Sequence, residues 1–184
     1  MNDMNKIMFL VGNKDYHIWA YQNAHKELGL PNVLVHGDLW NSNKNGSDNK
    51  ILALVDWQLV YEGSSAADLV RYIVRGTEAS VRRKTEPTFF SFYIKCICDL
   101  IPNLEIYESQ IRKAYIYSFI SEFVELLVIT VNNAKSLQHS INNDENVQVN
   151  LNLKQKIICR TISAMEDISK FIDSGEFEDV VKRF

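Results

Sequence analysis

Two hydrophobic periods divide the chain. Before about residue 60 the apolar positions fall in short clusters, and from Ala66 onward they recur every three or four residues almost to the end. Residues 14–28 (KDYHIWAYQNAHKEL) predict a helix with Ile18, Tyr21 and Leu28 on its apolar side, closed by Gly29 and Pro31. Residues 33–35 and 51–55 are short runs rich in branched side chains, and NKNGSDNK between them has turn chemistry. They predict two buried strands flanking a polar loop.

The second block predicts packed helices. Leu69, Tyr72 and Ile73 mark the first; Phe89, Phe92, Tyr93, Ile97 and Leu100 mark another, with Pro87 placed for its first turn and Pro102 ending it. Residues 105–132 form the longest periodic stretch, apolar over much of the circumference through Ile111, Ala114, Tyr115, Phe119, Phe123, Leu126 and Leu127, which predicts the central helix. Residues 136–150 are polar and Asn-rich and read as a surface loop. From 153 to 172 a stripe of Ile157, Ile158, Ile162, Met165, Ile168 and Ile172 predicts a last helix. The expected fold is mainly α with a small β element (α+β).

Composition narrows this picture. At 184 residues the chain suits one domain, residues 1–184: a loop region at 33–57, a helical bundle at 66–135 and 151–175, and a surface loop at 136–150. A net charge of −3 with scattered Lys and Arg excludes a nucleic-acid backbone as the main partner. Three cysteines, two of them in an apolar segment at Cys96 and Cys98, predict buried thiols in a reducing compartment. The first residues lack the pattern of a secretory signal, so cytoplasm is the expected address. The most apolar segment, 119–131, is broken by Glu122 and Glu125 and falls short of a bilayer span of ~20 residues. It reads as a buried helix, with no membrane partner expected.

The candidate chemistry lies in residues 33–57, VLVHGDLWNSNKNGSDNKILALVDW. Asp38 and Asn43 are five apart, the spacing of Asp and Asn in a kinase catalytic loop, and Asp56 follows 13 residues later at the end of an apolar run. Phosphoryl transfer needs a group to orient or deprotonate the acceptor hydroxyl and oxygen ligands for a hard cation at the phosphates, and these three side chains offer both. Singly each is an ordinary turn or cap residue. In this order, between two apolar runs, they make a motif.

HGDLWNSN, then ALVDWQ, then GSSAADLVRYI resemble the aminoglycoside-phosphotransferase and choline-kinase superfamily, within the protein-kinase-like fold. The resemblance is nearest to the CHK-kinase-like family of nematodes and insects, which includes ecdysteroid-kinase-like proteins. It implies that Asp38 is the catalytic base and that Asn43 and Asp56 hold Mg2+ against the phosphates of ATP. His36 and Gly37 would shape the loop, and Asp68 would cap a helix or brace the loop. The acceptor would be the hydroxyl of a small molecule of unknown identity.

Trp40, Trp57 and Tyr61 can offer aromatic faces to a substrate, although core burial is the commoner fate of such residues. Arg71 and Arg75, one helical turn apart, can meet phosphate or simply line an exposed face. His17 and His25 have no evident partner.

A complete kinase of this kind has a β-rich lobe before the catalytic loop, but only 35 residues precede His36 and no Gly-x-Gly occurs. The resemblance is therefore to a C-terminal lobe alone. A truncated phosphotransferase of weak or no activity is expected, with apolar surface uncovered for association. Two other readings stand beside it: a non-catalytic binding or regulatory module, and a metal-dependent hydrolase on Asp38 and Asp56.

Overall fold

The computed structural model describes residues 3–39, 53–140 and 147–184. Helices α1 (Asp3–Val11), α2 (Lys14–Gln22) and α3 (Ala24–Glu27) lead into strand β1 (Val33–Val35). A 3-10 turn at Trp57–Leu59 precedes strand β2 (Tyr61–Gly63). Then come α4 (Ala66–Gly76), α5 (Ala79–Leu100), α6 (Glu108–Ser140), α7 (Val147–Asp173) and α8 (Glu178–Arg183). Among the described residues the fold is mainly α with one two-stranded sheet, in line with the mainly α expectation.

Helix α6 is the axis. Every residue from Ala114 through Phe123 is buried, so the helix has no solvent face there and must be covered on all sides. Helices α4 and α7 pack along it, and α1, α2, α3 and α5 complete the cover. A window of α6 is apolar enough by composition to cross a membrane, but 61% of it is buried inside the molecule, where a core helix belongs. Aromatic edges tie the layers: Phe90 meets Tyr115 at 5.3 Å, Tyr115 meets Phe119 at 5.7 Å, and Phe119 meets Phe171 at 5.4 Å between ring centroids. Replacing Phe119 by Ala should remove about 3–4 kcal/mol, read as a lower urea midpoint at unchanged slope.

Several expectations need correction. Residues 14–28 form two helices because Asn23 leaves helical geometry (φ −129°), an uncommitted residue that competes for its own backbone. At the other end of the helix Asn13 caps α2, the side-chain oxygen accepting from the Tyr16 amide at 3.1 Å. Part of the run 51–55 expected to form the second strand lies outside the described residues. The antiparallel partner of β1 is 61–63, in register Val33 with Gly63, Leu34 with Glu62 and Val35 with Tyr61, while Leu54 and Val55 are exposed.

Pro87 lies inside α5, not in its first turn. Its missing N–H frees the Arg83 carbonyl, and burial of Phe90 three residues on holds the helix together past that point. The expected loop at 136–150 is helical at both ends, since α6 runs to Ser140 and α7 starts at Val147, and its middle, 141–146, lies outside the described residues. Cys96 and Cys159 are exposed and Cys98 is half-buried, so the expected burial of the thiols fails. Helix α8, which carries no long periodic signal, docks through Phe177 and Val180 and through Arg183, stacked over Trp19 at 4.7 Å and paired with Glu27 at 2.5 Å.

Candidate functional site

The site is built on a turn between β1 and the segment before β2. Directly after β1, the amides of His36 and Gly37 point at one carboxylate: Asp68 Oδ2 accepts from His36 N at 2.6 Å and Oδ1 from Gly37 N at 3.0 Å. Asp68 sits in the first turn of α4, where a negative charge also suits the helix dipole. Such a pair of charge-assisted bonds is stronger than two neutral ones.

His36 is the connector. Its ring is buried, and Nδ1 accepts the Asp38 amide at 3.2 Å, which leaves Nε2 to carry the proton and donate to the Val55 carbonyl at 2.8 Å. The imidazole is thereby assigned as the neutral Nε2–H tautomer. One ring joins the residue before Asp56 to the amide of Asp38, so the two candidate carboxylates belong to a single local structure. Trp57 lies against the imidazole at 4.7 Å, and its indole N–H donates to the Leu54 carbonyl at 2.9 Å.

Two backbone positions are special. Gly37 has φ +79°, and a Cβ there would stand 2.1 Å from the Leu59 carbonyl oxygen. Asp56 is left-handed (φ 70°, ψ 56°) without being glycine, a conformation costing about 1–2 kcal/mol that persists where surrounding contacts demand it. Here the demand comes from the His36 bond to Val55 on one side and the Trp57–Leu59 turn on the other.

Of the residues singled out from sequence, His36, Gly37, Asp38, Asp56, Trp57 and Asp68 converge on this turn. Asp38 is half-buried and Asp56 exposed. Asn43 and Trp40 lie outside the described residues. Trp57 is 41% exposed, so core burial is not its fate. Tyr61, half-buried on β2, has its hydroxyl held protonated well above the usual range, chiefly by burial and further by the charges of Asp68 and Glu122, against the opposing pull of Arg71.

Sequence reasoning missed a charged cluster under the site. Arg75 is buried and Arg71 half-buried, and both pair with the wholly buried Glu122 of α6: Arg75 Nε at 2.6 Å and Arg71 Nη2 at 3.2 Å. The Tyr21 hydroxyl donates to the same carboxylate at 2.8 Å, and burial plus that negative charge push its proton affinity up strongly. The available signal was Glu122 itself, a charge set among apolar residues of the most apolar segment, which demands a buried partner. His17 and His25 also have partners, Ser121 at 2.8 Å and Asn32 at 2.5 Å.

A hard cation takes oxygen ligands, and Mg2+ keeps several waters while using one or two carboxylates together with phosphate oxygens. The Asp56 carboxylate fits that demand, beside the candidate base Asp38 on the same turn. Among the described residues no group of three or more His, Cys, Asp or Glu forms a cage, so an all-protein site of the zinc or calcium type does not fit there. Asp68→Asn keeps one acceptor but sets an NH2 against a backbone N–H. It should destabilise the chain by about 1.5–3 kcal/mol in urea unfolding, with faster exchange of the His36 and Gly37 amides.

These features define a helical domain with a carboxylate-braced His-Gly-Asp turn. The chain belongs to the DUF1679 family, described as "Uncharacterized oxidoreductase dhs-27", whose model matches residues 1–175. It is 26% identical over 135 residues to a Caenorhabditis elegans protein named "Uncharacterized oxidoreductase dhs-27", covering 66% of this chain and 16% of that protein. It is 24% identical over 155 residues to the C. elegans "Uncharacterized kinase-like protein D1044.1", covering 80% of this chain and 40% of that protein. The chain thus spans well under half the length of these curated relatives. No solved structure matches it.

Proposed function

We propose that residues 36–56 form the acceptor-side and metal-side portion of an ATP- and Mg2+-dependent phosphotransferase of the CHK-kinase-like type, acting on a hydroxyl of a small molecule. The observation that carries this reading is the His36 imidazole, which joins the Asp38 amide to the Val55 carbonyl and so builds Asp38 and Asp56 into one turn. Asp38 is the proposed base for the acceptor hydroxyl; Asp56, together with Asn43, is the proposed ligand set for Mg2+. Bound there, the ion would neutralise charge on the phosphates.

Each remaining part has a positioning task. Asp68 holds the turn through its two amides, Gly37 lets the chain pass the Leu59 carbonyl, and Trp57 covers the imidazole. The word oxidoreductase in a relative's name describes a protein of which the matched part is 16%, and this sequence carries no Gly-x-Gly for a dinucleotide. The kinase-like relative supports the phosphotransferase reading at the level of class.

Calorimetric titration tests the proposal. Mg2+-dependent ATP binding is expected with a dissociation constant on the order of 1 mM, about 4 kcal/mol, and Asp56→Ala should abolish it. Heat that is absent at several times that concentration, or identical in the variant, would leave the second reading, a non-catalytic binding module, in front. That reading is favoured by one specific feature: Leu34, Leu54, Val55, Trp57, Leu59 and Val60 are all exposed around the turn, an apolar surface suited to association.

A further inference from the structure

Glu122 is buried in the middle of the central helix, yet its bonds lead toward the turn that carries Asp38. Arg71 and Arg75 stand three and seven residues beyond Asp68, so the three share one face of α4. At one end of that face Asp68 accepts the His36 and Gly37 amides; further along, both guanidinium groups close on Glu122. Tyr21, the third partner of Glu122, accepts the Ser64 amide on its own carbonyl at 3.2 Å. That carbonyl would lie 2.8 Å from a Cβ on Gly63, so the β2–α4 junction is seated tightly against it.

Burying a carboxylate among two arginines is a costly way to hold helices together, and apolar packing of equal volume often does as well. What the cluster adds is direction. Two guanidinium groups and a phenol on one carboxylate restrict rotation of α4 about its axis, and Asp68 is carried on that helix. We infer that Glu122 is a positioning residue for the His36–Asp38 turn, acting through Arg71, Arg75 and Tyr21 to place Asp68. The importance of this placement rests on the phosphotransferase reading, but its test does not.

The test is amide exchange, followed by NMR on the full 184-residue chain. In Glu122→Gln the His36 and Gly37 amides should exchange at least about tenfold faster and the His36 Nε2–H signal should move, while the Phe90 amide on α5 keeps its rate. In an Asp68→Asn background the same change should add no more than about twofold, because the route through Asp68 is already cut. Should Glu122→Gln not fold, Arg71→Gln at a half-buried position must give the same local pattern.

Unchanged exchange at the turn, equal acceleration at Phe90, or full additivity with Asp68→Asn would overturn the inference. A chain that shows the exchange pattern but binds no Mg2+ and ATP would overturn the proposed function and leave this inference standing.

Discussion

Gly37→Ala is expected to lower stability by about 2–4 kcal/mol and to break the turn. A left-handed residue other than glycine costs about 1–2 kcal/mol, and overpacking typically adds 1–3. Here the added methyl would meet a backbone carbonyl, that of Leu59, at 2.1 Å, which no rotamer change relieves. The Trp57–Leu59 turn is exposed and is the part able to give way, so the His36 bond to Val55 and the packing of Trp57 should go with it. Urea unfolding reads the first effect and Trp57 fluorescence the second. A variant within about 0.5 kcal/mol of the parent, with unchanged fluorescence, would show that the turn is not held as described.

The second large effect is far from the site. Arg82 of α5 is 2% exposed, donates to Asp167 Oδ2 at 2.6 Å, lies 3.5 Å from Glu86 and packs over the Phe119 ring at 5.0 Å. Asp167→Ala leaves that guanidinium with its main partner gone, and breaking such a pair costs about 3–5 kcal/mol. An Arg82→Met, Asp167→Leu pair should recover most of the loss, because the desolvation penalty leaves with both charges.

The same carboxylate predicts a pH dependence. Burial pushes the Asp167 carboxyl up, but hydrogen bonds from Arg83 and Lys170 and the charge and hydrogen bond of Arg82 outweigh it, so the group is held below the usual carboxylate range. A lowered folded value means stability fully present above the unfolded value near 4 and lost as pH falls below it toward the folded value. Urea midpoints of the parent should therefore drop below about pH 4, with Asp167→Ala losing that part of the dependence.

The helices were legible where packing repeats with the helical period. Residues 105–132 and 153–172 announce α6 and α7 because their apolar side chains recur at three and four. The sheet was half legible. Val33–Val35 is a strand, but its partner depends on Gly63 fitting under the Tyr21 carbonyl, a contact across 42 positions that no local pattern records. Pro87 misled for a related reason: local preference favours a first turn, and burial of Phe90 outweighs it.

At the site, spacing pointed to Asp38 and Asp56, and Asp68 was foreseen as a possible brace. The role of His36 as a two-sided connector was not readable, since it needs the Val55 carbonyl brought back from 19 positions away. Nor was the Glu122 cluster, because a charge in an apolar helix says that a partner exists without naming Arg71, Arg75 or Tyr21.

The proposed phosphotransferase needs a divalent-metal ligand at Asp56, on the same His36-held turn as the proposed base Asp38, and Mn2+ titration followed by NMR tests it most directly. The Gly37, Asp38 and Asp56 amides and the Trp57 indole N–H are expected to broaden first, excess Mg2+ to restore them, and Asp56→Asn to prevent the effect. Broadening that starts at the acidic surface around Glu176 and Asp179, or that persists unchanged in Asp56→Asn, would contradict a metal ligand at Asp56.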